Sequence, residues 1–132
     1  MKEFKHRNAK TVAEAVAILA EYKGQAAVIA GGTDILGVIK SDLIDGYPQA
    51  LVNIKTIPGL DYIKEEGGVL KIGTLATLAD IASNATVKGS YASLAESAFR
   101  VAATTLRSMG TIGGNLCQKT RCWYYRYPHE MG

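Results

Sequence analysis

Two short stretches hold the residue types from which an anion site can be built. The first is Ala30-Gly31-Gly32-Thr33-Asp34 and the second is Thr111-Ile112-Gly113-Gly114-Asn115. Glycine lets backbone N–H groups approach a bulky anion with no Cβ in the way. Thr33, Thr111 and Asn115 can add side-chain hydrogen bonds to the same ligand. A lone Gly-Gly pair reads as a tight turn between two elements. Two stretches of this character in one small domain can close on a single phosphate-bearing ligand. Neither follows the P-loop pattern, which needs Gly-Lys-Ser/Thr, nor the dinucleotide pattern Gly-x-Gly-x-x-Gly. Asp34 runs against the rest, because a carboxylate beside a phosphate is repelled. It reads as a helix cap or as an acceptor for ligand hydroxyls.

The elements that must carry these stretches follow from the apolar pattern. Lys2 to Arg7 reads as an edge strand with Phe4 facing in. Thr11 with Glu14 three residues later fits a capping box, and Val12, Val16, Leu19 and Ala20 recur behind it at helical spacing. Gly24 ends that helix. Ala26 to Ile29 is too short and apolar for a helix and reads as a buried strand. It runs straight into the first glycine stretch, and a short helix over Ile35 to Ile39 follows. A strand, a glycine turn and a helix start make a ready anion site, since the first N–H groups of a helix lack partners.

Ala50 to Ile54 reads as a second buried strand. Ile57-Pro58-Gly59 is a break, which sets a boundary between residues 1–56 and 57–132. Asp61 to Lys64 and Val69 to Ile72 pair as a hairpin across Glu65-Glu66-Gly67-Gly68. Thr77 caps a helix through about Ser83, with Leu78, Ile81 and Ala82 facing in. Ser90 to Ala103 reads as one longer helix, with Leu94, Ala95, Ala98 and Val101-Ala102 on its apolar face. Thr104 to Met109 leads into the second glycine stretch. The hairpin and the short βα units imply an α+β fold of two small subdomains rather than a doubly wound sheet.

Composition removes several classes of function. The 132 residues fit one domain or two small subdomains, and 48% hydrophobic with 20% charged residues is ordinary globular usage. No apolar run approaches the ~20 residues of a membrane span. The polar Met1-Lys2-Glu3-Phe4-Lys5 lacks the apolar core of a signal peptide, so the cytoplasm is the expected setting. A net charge of +3 is mild, and the basic residues are scattered apart from Lys5-His6-Arg7 and Lys119 to Arg126. Nucleic-acid binding wants a denser basic stripe, and neither nucleic acid nor membrane is an expected partner. Cys117 and Cys122 lie five apart, and two cysteines make no disulfide framework. Arg107 reads equally as a neighbour of ligand phosphates or as a solvated side chain. His6 and His129 have nothing at ligand spacing around them.

Taken in order and at their spacings, Ala30-Gly31-Gly32-Thr33-Asp34, Ile72-Gly73 before Thr77, and Thr111-Ile112-Gly113-Gly114-Asn115 resemble the FAD-binding, or medium, subunit of molybdenum hydroxylases. This is the xanthine dehydrogenase and carbon monoxide dehydrogenase family, and the resemblance runs the length of the chain. It implies two small α+β subdomains of a molybdopterin dehydrogenase (PCMH-type) FAD-binding domain, the second one incomplete. It also implies that Ile29, Ala30, Gly31, Gly32, Thr33, Asp34, Ile35 and Leu36, with Thr111, Ile112, Gly113, Gly114 and Asn115, contact FAD. Its implied partners are a molybdenum-cofactor subunit and a 2Fe-2S subunit. The implied activity is that of an oxidoreductase component: electron transfer between the iron–sulfur partner and an external acceptor through the flavin, with no catalytic side chain of its own.

The tail from Gly114-Asn115-Leu116-Cys117 to Cys122-Trp123-Tyr124-Tyr125-Arg126 resembles the branch with 4-hydroxybenzoyl-CoA reductase and aldehyde oxidoreductase. Flavin subunits of that branch carry a loop that binds a 4Fe-4S cluster, and Cys122 matches its first ligand; Cys117 matches none. Such a cluster takes four thiolates as a rule and this chain has two cysteines, so cluster binding is implied only for a longer parent subunit. The alternative is a truncated flavoprotein-fold module that only docks to partner subunits.

Overall fold

The structure is a computed structural model that describes residues 2–40 and 46–120. Three strands, β1 (Lys5–Asn8), β2 (Ala26–Ile29) and β3 (Ala50–Asn53), form a parallel sheet in the order β1-β3-β2. Ala50 of the central strand stands level with Lys5 on one side and Ala26 on the other. The central position explains why Ala50, Leu51 and Val52 are all buried, since a strand covered on both faces hides successive side chains. β2 is an edge strand, and Val28 is 43% exposed rather than buried as its composition suggests. A side-chain bond joins the C-terminal ends of the neighbouring strands β1 and β3, Asn53 Nδ2 donating to Asn8 Oδ1 at 2.8 Å.

Helix α1 (Val12–Glu21) joins β1 to β2. Thr11 caps it, its hydroxyl accepting from the Glu14 N–H at 3.1 Å. The Glu14 carboxylate reaches back one residue further than a capping box requires, to the Lys10 N–H at 2.7 Å. The buried side of the helix is Ala15 and Ile18, while Val12 and Val16 are 55% and 60% exposed. Nearly every residue of α1 is apolar, so two phases of the 3.6-residue period fit it equally well, and packing selects the one with Ile18 inward. Ala15 and Ile18 join Ala9, Val52 and Ile57 in one apolar cluster, with Leu19, Tyr22 and Leu60 against it. Lys23 and Gly24 both take positive φ, 48° and 86°, and turn the chain into β2. A short helix α2 (Ile35–Lys40) follows β2 and buries Val38 and Ile39.

The remaining elements gather on a second core. Strands β4 (Ile63–Glu66) and β5 (Val69–Ile72) form an antiparallel hairpin closed by Gly67-Gly68 alone. Both glycines have positive φ, 60° and 75°, as a two-residue hairpin turn of this hand demands. Glu65 and Glu66 therefore belong to the strand rather than to the tip. Glu66 bonds Lys64 and Lys71, and this pairing, Lys64 first, holds its carboxyl below the usual carboxylate range.

Helix α3 (Leu78–Ser83) has a full capping box between Thr77 and Asp80. The helix expected over Ser90 to Ala103 runs only over α5 (Ala92–Arg100), and a separate short helix, α4 (Ala85–Ser90), capped by Asn84, precedes it, with the chain breaking at Tyr91. Thr104–Met109 is helical too, as α6, and so is Ile112–Cys117, as α7. Ala76, Ile81, Val87, Ala95 and Ala98 form the second cluster, with Ile63, Leu70, Ile72 and Ile112 packed on it.

A cleft between the two glycine segments

The two glycine stretches face each other across a single cleft of about 640 Å³. One wall is β2 and the turn after it, from Ala26 to Val28 and from Ala30 to Ile35. The other is Gly110, Thr111, Gly113, Gly114 and Asn115, with Thr74, Leu78, Val101, Ala102 and Leu106. The volume falls in the roughly 300–1,000 Å³ range of ordinary small-molecule sites.

Contact between the walls is made by backbone, and glycine makes it possible. A Cβ on Gly31 would collide with the Met109 carbonyl and lie 3.0 Å from Gly110 Cα. The place of a Cβ on Gly110 is 3.0 Å from the Leu106 carbonyl oxygen and 3.5 Å from Thr33 Oγ1. Gly32 has φ 74°, and a Cβ there would press on Leu36 Cδ1 at 3.2 Å and Ile29 Cδ1 at 3.5 Å. A side chain on Gly113 would strike Thr74.

The second stretch is a helix start rather than a loop. Thr111 is buried, 4% exposed, and stands in an isolated antiparallel bridge with Thr77. Leu78 N–H donates to the Gly110 carbonyl at 3.0 Å and Ile112 N–H to the Ala76 carbonyl at 2.9 Å. The Thr111 hydroxyl then caps α7, accepting from Gly114 N–H at 3.2 Å.

These bonds decide which donors are left for a ligand. Gly113 N–H is spent on the Thr74 carbonyl at 3.0 Å and Asn115 N–H on the Thr111 carbonyl at 2.9 Å. With Ile112 and Gly114 engaged as well, the four amides from 112 to 115 are committed within the protein. What this wall offers is side chain: the Thr111 hydroxyl hydrogen, and the Asn115 Nδ2 group, whose Oδ1 accepts from Gln118 Nε2 at 3.3 Å. The first wall is the reverse. Among the described hydrogen bonds none engages the amides of Gly31, Gly32 or Ile35, while the Gly32 and Asp34 carbonyls accept from Leu36 and Val38 as α2 begins. A diphosphate fits this arrangement: open backbone amides on one side, a hydroxyl and a carboxamide on the other.

Of the thirteen residues expected to touch FAD, ten line the cleft: Ala30, Gly31, Gly32, Thr33, Asp34, Ile35, Thr111, Gly113, Gly114 and Asn115. Ile29 and Leu36 turn their side chains onto Gly32 from behind, and Ile112 packs into the second core. Cys122 lies outside the described residues. Arg107 does not line the cleft; half-buried, its guanidinium bonds the Val101 and Ala102 carbonyls at 3.1 and 2.7 Å. Thr74, Leu78 and the Val101–Ala102 corner are wall residues that sequence reading missed. Thr74, directly behind Gly73, carried the one available signal, a third glycine-threonine pair beside Gly32-Thr33 and Gly110-Thr111.

The comparisons with known proteins agree with this geometry. The family model described as "FAD binding domain in molybdopterin dehydrogenase" matches residues 2–122. The chain is 36% identical over 117 residues to the nicotinate dehydrogenase FAD-subunit of Eubacterium barkeri, covering 88% of this chain and 39% of that protein. It is 36% identical over 126 residues to the aldehyde oxidoreductase FAD-binding subunit PaoB of Escherichia coli K12, covering 95% and 38%. Carbon monoxide dehydrogenase from Hydrogenophaga pseudoflava superposes with a TM-score of 0.82 at 35% identity, over 87% of this chain and 39% of that one. The fold and the cleft thus define a flavoprotein domain of the PCMH type. The chain belongs to the family of FAD-binding domains of molybdopterin dehydrogenases, and it spans about two fifths of the length of these relatives. No helix among the described residues is long and apolar enough to cross a membrane.

Proposed function

We propose that the cleft holds FAD and that the chain serves as the flavin-binding part of a molybdenum hydroxylase-type oxidoreductase. The observation that carries this reading is the pairing of unengaged Gly31 and Gly32 amides with the Thr111 hydroxyl and Asn115 carboxamide across one cleft. In this reading the diphosphate lies between those groups. Ala30, Thr33, Asp34, Ile35, Gly113 and Gly114 form the surrounding wall, and Ile29, Leu36 and Ile112 support it from behind. Bound flavin supplies the redox chemistry, accepting and passing on electrons; the protein binds it, orients it and tunes it. The partners in this reading are a molybdenum-cofactor subunit and a 2Fe-2S subunit, with electrons passing between the iron–sulfur partner and an external acceptor. The relatives named above, FAD subunits of nicotinate dehydrogenase and aldehyde oxidoreductase, support that assignment.

We also divide the chain into subdomains 1–56 and 57–132. The two apolar clusters and two sheets support this division, with Ile57 and Leu60 reaching back onto the first cluster.

The test is an absorption spectrum of the purified chain after addition of FAD and gel filtration. Flavin bands are expected to co-elute with the protein, and to be lost when Gly113 is replaced by valine, which would strike Thr74. A chain that elutes free of flavin from high micromolar FAD overturns the reading.

A further inference from the structure

We propose that Arg107 is a positioning residue for the cofactor, acting through the Val101–Ala102 corner that forms one end of the cleft wall. The proposal rests on the reading of the cleft as an FAD site. Ala102 has φ 46°, in the left-handed region where a residue with a Cβ is uncommon. Its place is the junction between α5 and α6, and both Val101 and Ala102 line the cleft beside Leu106 and Gly110. Nothing local to the sequence favours that conformation, for Ala103 begins α6 with no side-chain cap.

The guanidinium of Arg107 supplies what the local sequence lacks. Its Nη1 donates to the Val101 carbonyl at 3.1 Å and to the Ala102 carbonyl at 2.7 Å, and its Nη2 donates to Thr104 Oγ1 at 3.1 Å. The group also stands over the Phe99 ring, 5.0 Å from its centroid. One planar fork therefore ties the last turn of α5, the strained corner and the first turn of α6. An ammonium cannot reproduce this, because it lacks the fixed fork that meets two carbonyls and a hydroxyl together. Set behind the cleft lining, with three of its N–H donors given to the corner, Arg107 acts on the ligand through the wall it holds.

The experiment compares FAD dissociation constants, from quenching of flavin fluorescence, for the 132-residue chain and four variants: Arg107→Ala, Arg107→Lys, Ala102→Gly and Arg107→Ala with Ala102→Gly. Each is measured at a temperature where circular dichroism shows the native signal. Losing hydrogen bonds to a charged donor predicts an affinity about tenfold weaker for Arg107→Ala. Arg107→Lys is expected to fall between the two, and it carries the test if Arg107→Ala does not fold. Glycine accepts φ 46° without strain, so adding Ala102→Gly is expected to restore much of the lost affinity. Lowered melting temperature with unchanged FAD affinity in both Arg107 variants would overturn the proposal, leaving Arg107 a purely structural clamp. Failure of the unaltered chain to bind FAD would be distinct from that result. It would overturn the reading of the cleft, and the proposal with it.

Discussion

Gly31 and Gly32 sit side by side, yet each is glycine for a different reason. At Gly31 the obstacle is space, because the Met109 carbonyl occupies the position of a side chain. At Gly32 it is the backbone, with φ 74°. Alanine at Gly32 is expected to cost about 1–2 kcal/mol, the price of a left-handed L-residue. Alanine at Gly31 is expected to cost more, since backbone on the opposite wall must move. Gly89 lies in α4 with open space around it, and alanine there is expected to stabilise the chain by about 1 kcal/mol. Urea unfolding of the three variants checks this order. The residue types of the site were legible in the sequence, because glycine, threonine and asparagine declare what they can donate. Which donors remain open was not. The amides of Ile112 and Gly113 are used by the carbonyls of Ala76 and Thr74, partners more than thirty residues away that no local pattern reveals.

At the level of elements, caps were the most readable feature and helix phase the least. Thr11 and Thr77 stand at helix starts because a hydroxyl three residues before an acidic side chain satisfies the first N–H groups. Asn84 performs the same task for α4, accepting from Val87 N–H at 3.1 Å, and goes unread in the sequence because α4 is only six residues long and holds Gly89, too short for an apolar period to show. Asn84→Ala is expected to destabilise the chain by about 1 kcal/mol, with amide exchange accelerating first in α4; urea unfolding and hydrogen exchange measure the two effects. The phase of α1 that Val12, Val16, Leu19 and Ala20 suggest is not the one that packs, since alanine and valine fill both faces and only the arrival of Val52 and Ile57 decides that Ile18 points inward. β2 shows the converse: its apolar sequence suits a buried strand, but sheet order puts it at the edge, where it becomes a cleft wall.

Across the whole molecule, two apolar cores carry the two walls of one cleft, and the walls touch where Gly31 meets Met109 and Gly110. The sequence offers one glycine stretch on each side of the Ile57-Pro58-Gly59 break, whereas the contact between them belongs to tertiary structure alone. The most direct measurement of the central claim is a titration of the isotopically labelled chain with FAD, following backbone amide resonances. The Gly31 and Gly32 amides should shift most, the internally bonded amides of Gly113 and Gly114 less, and Gly67 and Gly89, outside the cleft, not at all. Saturable FAD binding that leaves Gly31 and Gly32 unmoved, or a titration in which no resonance moves, would contradict the account.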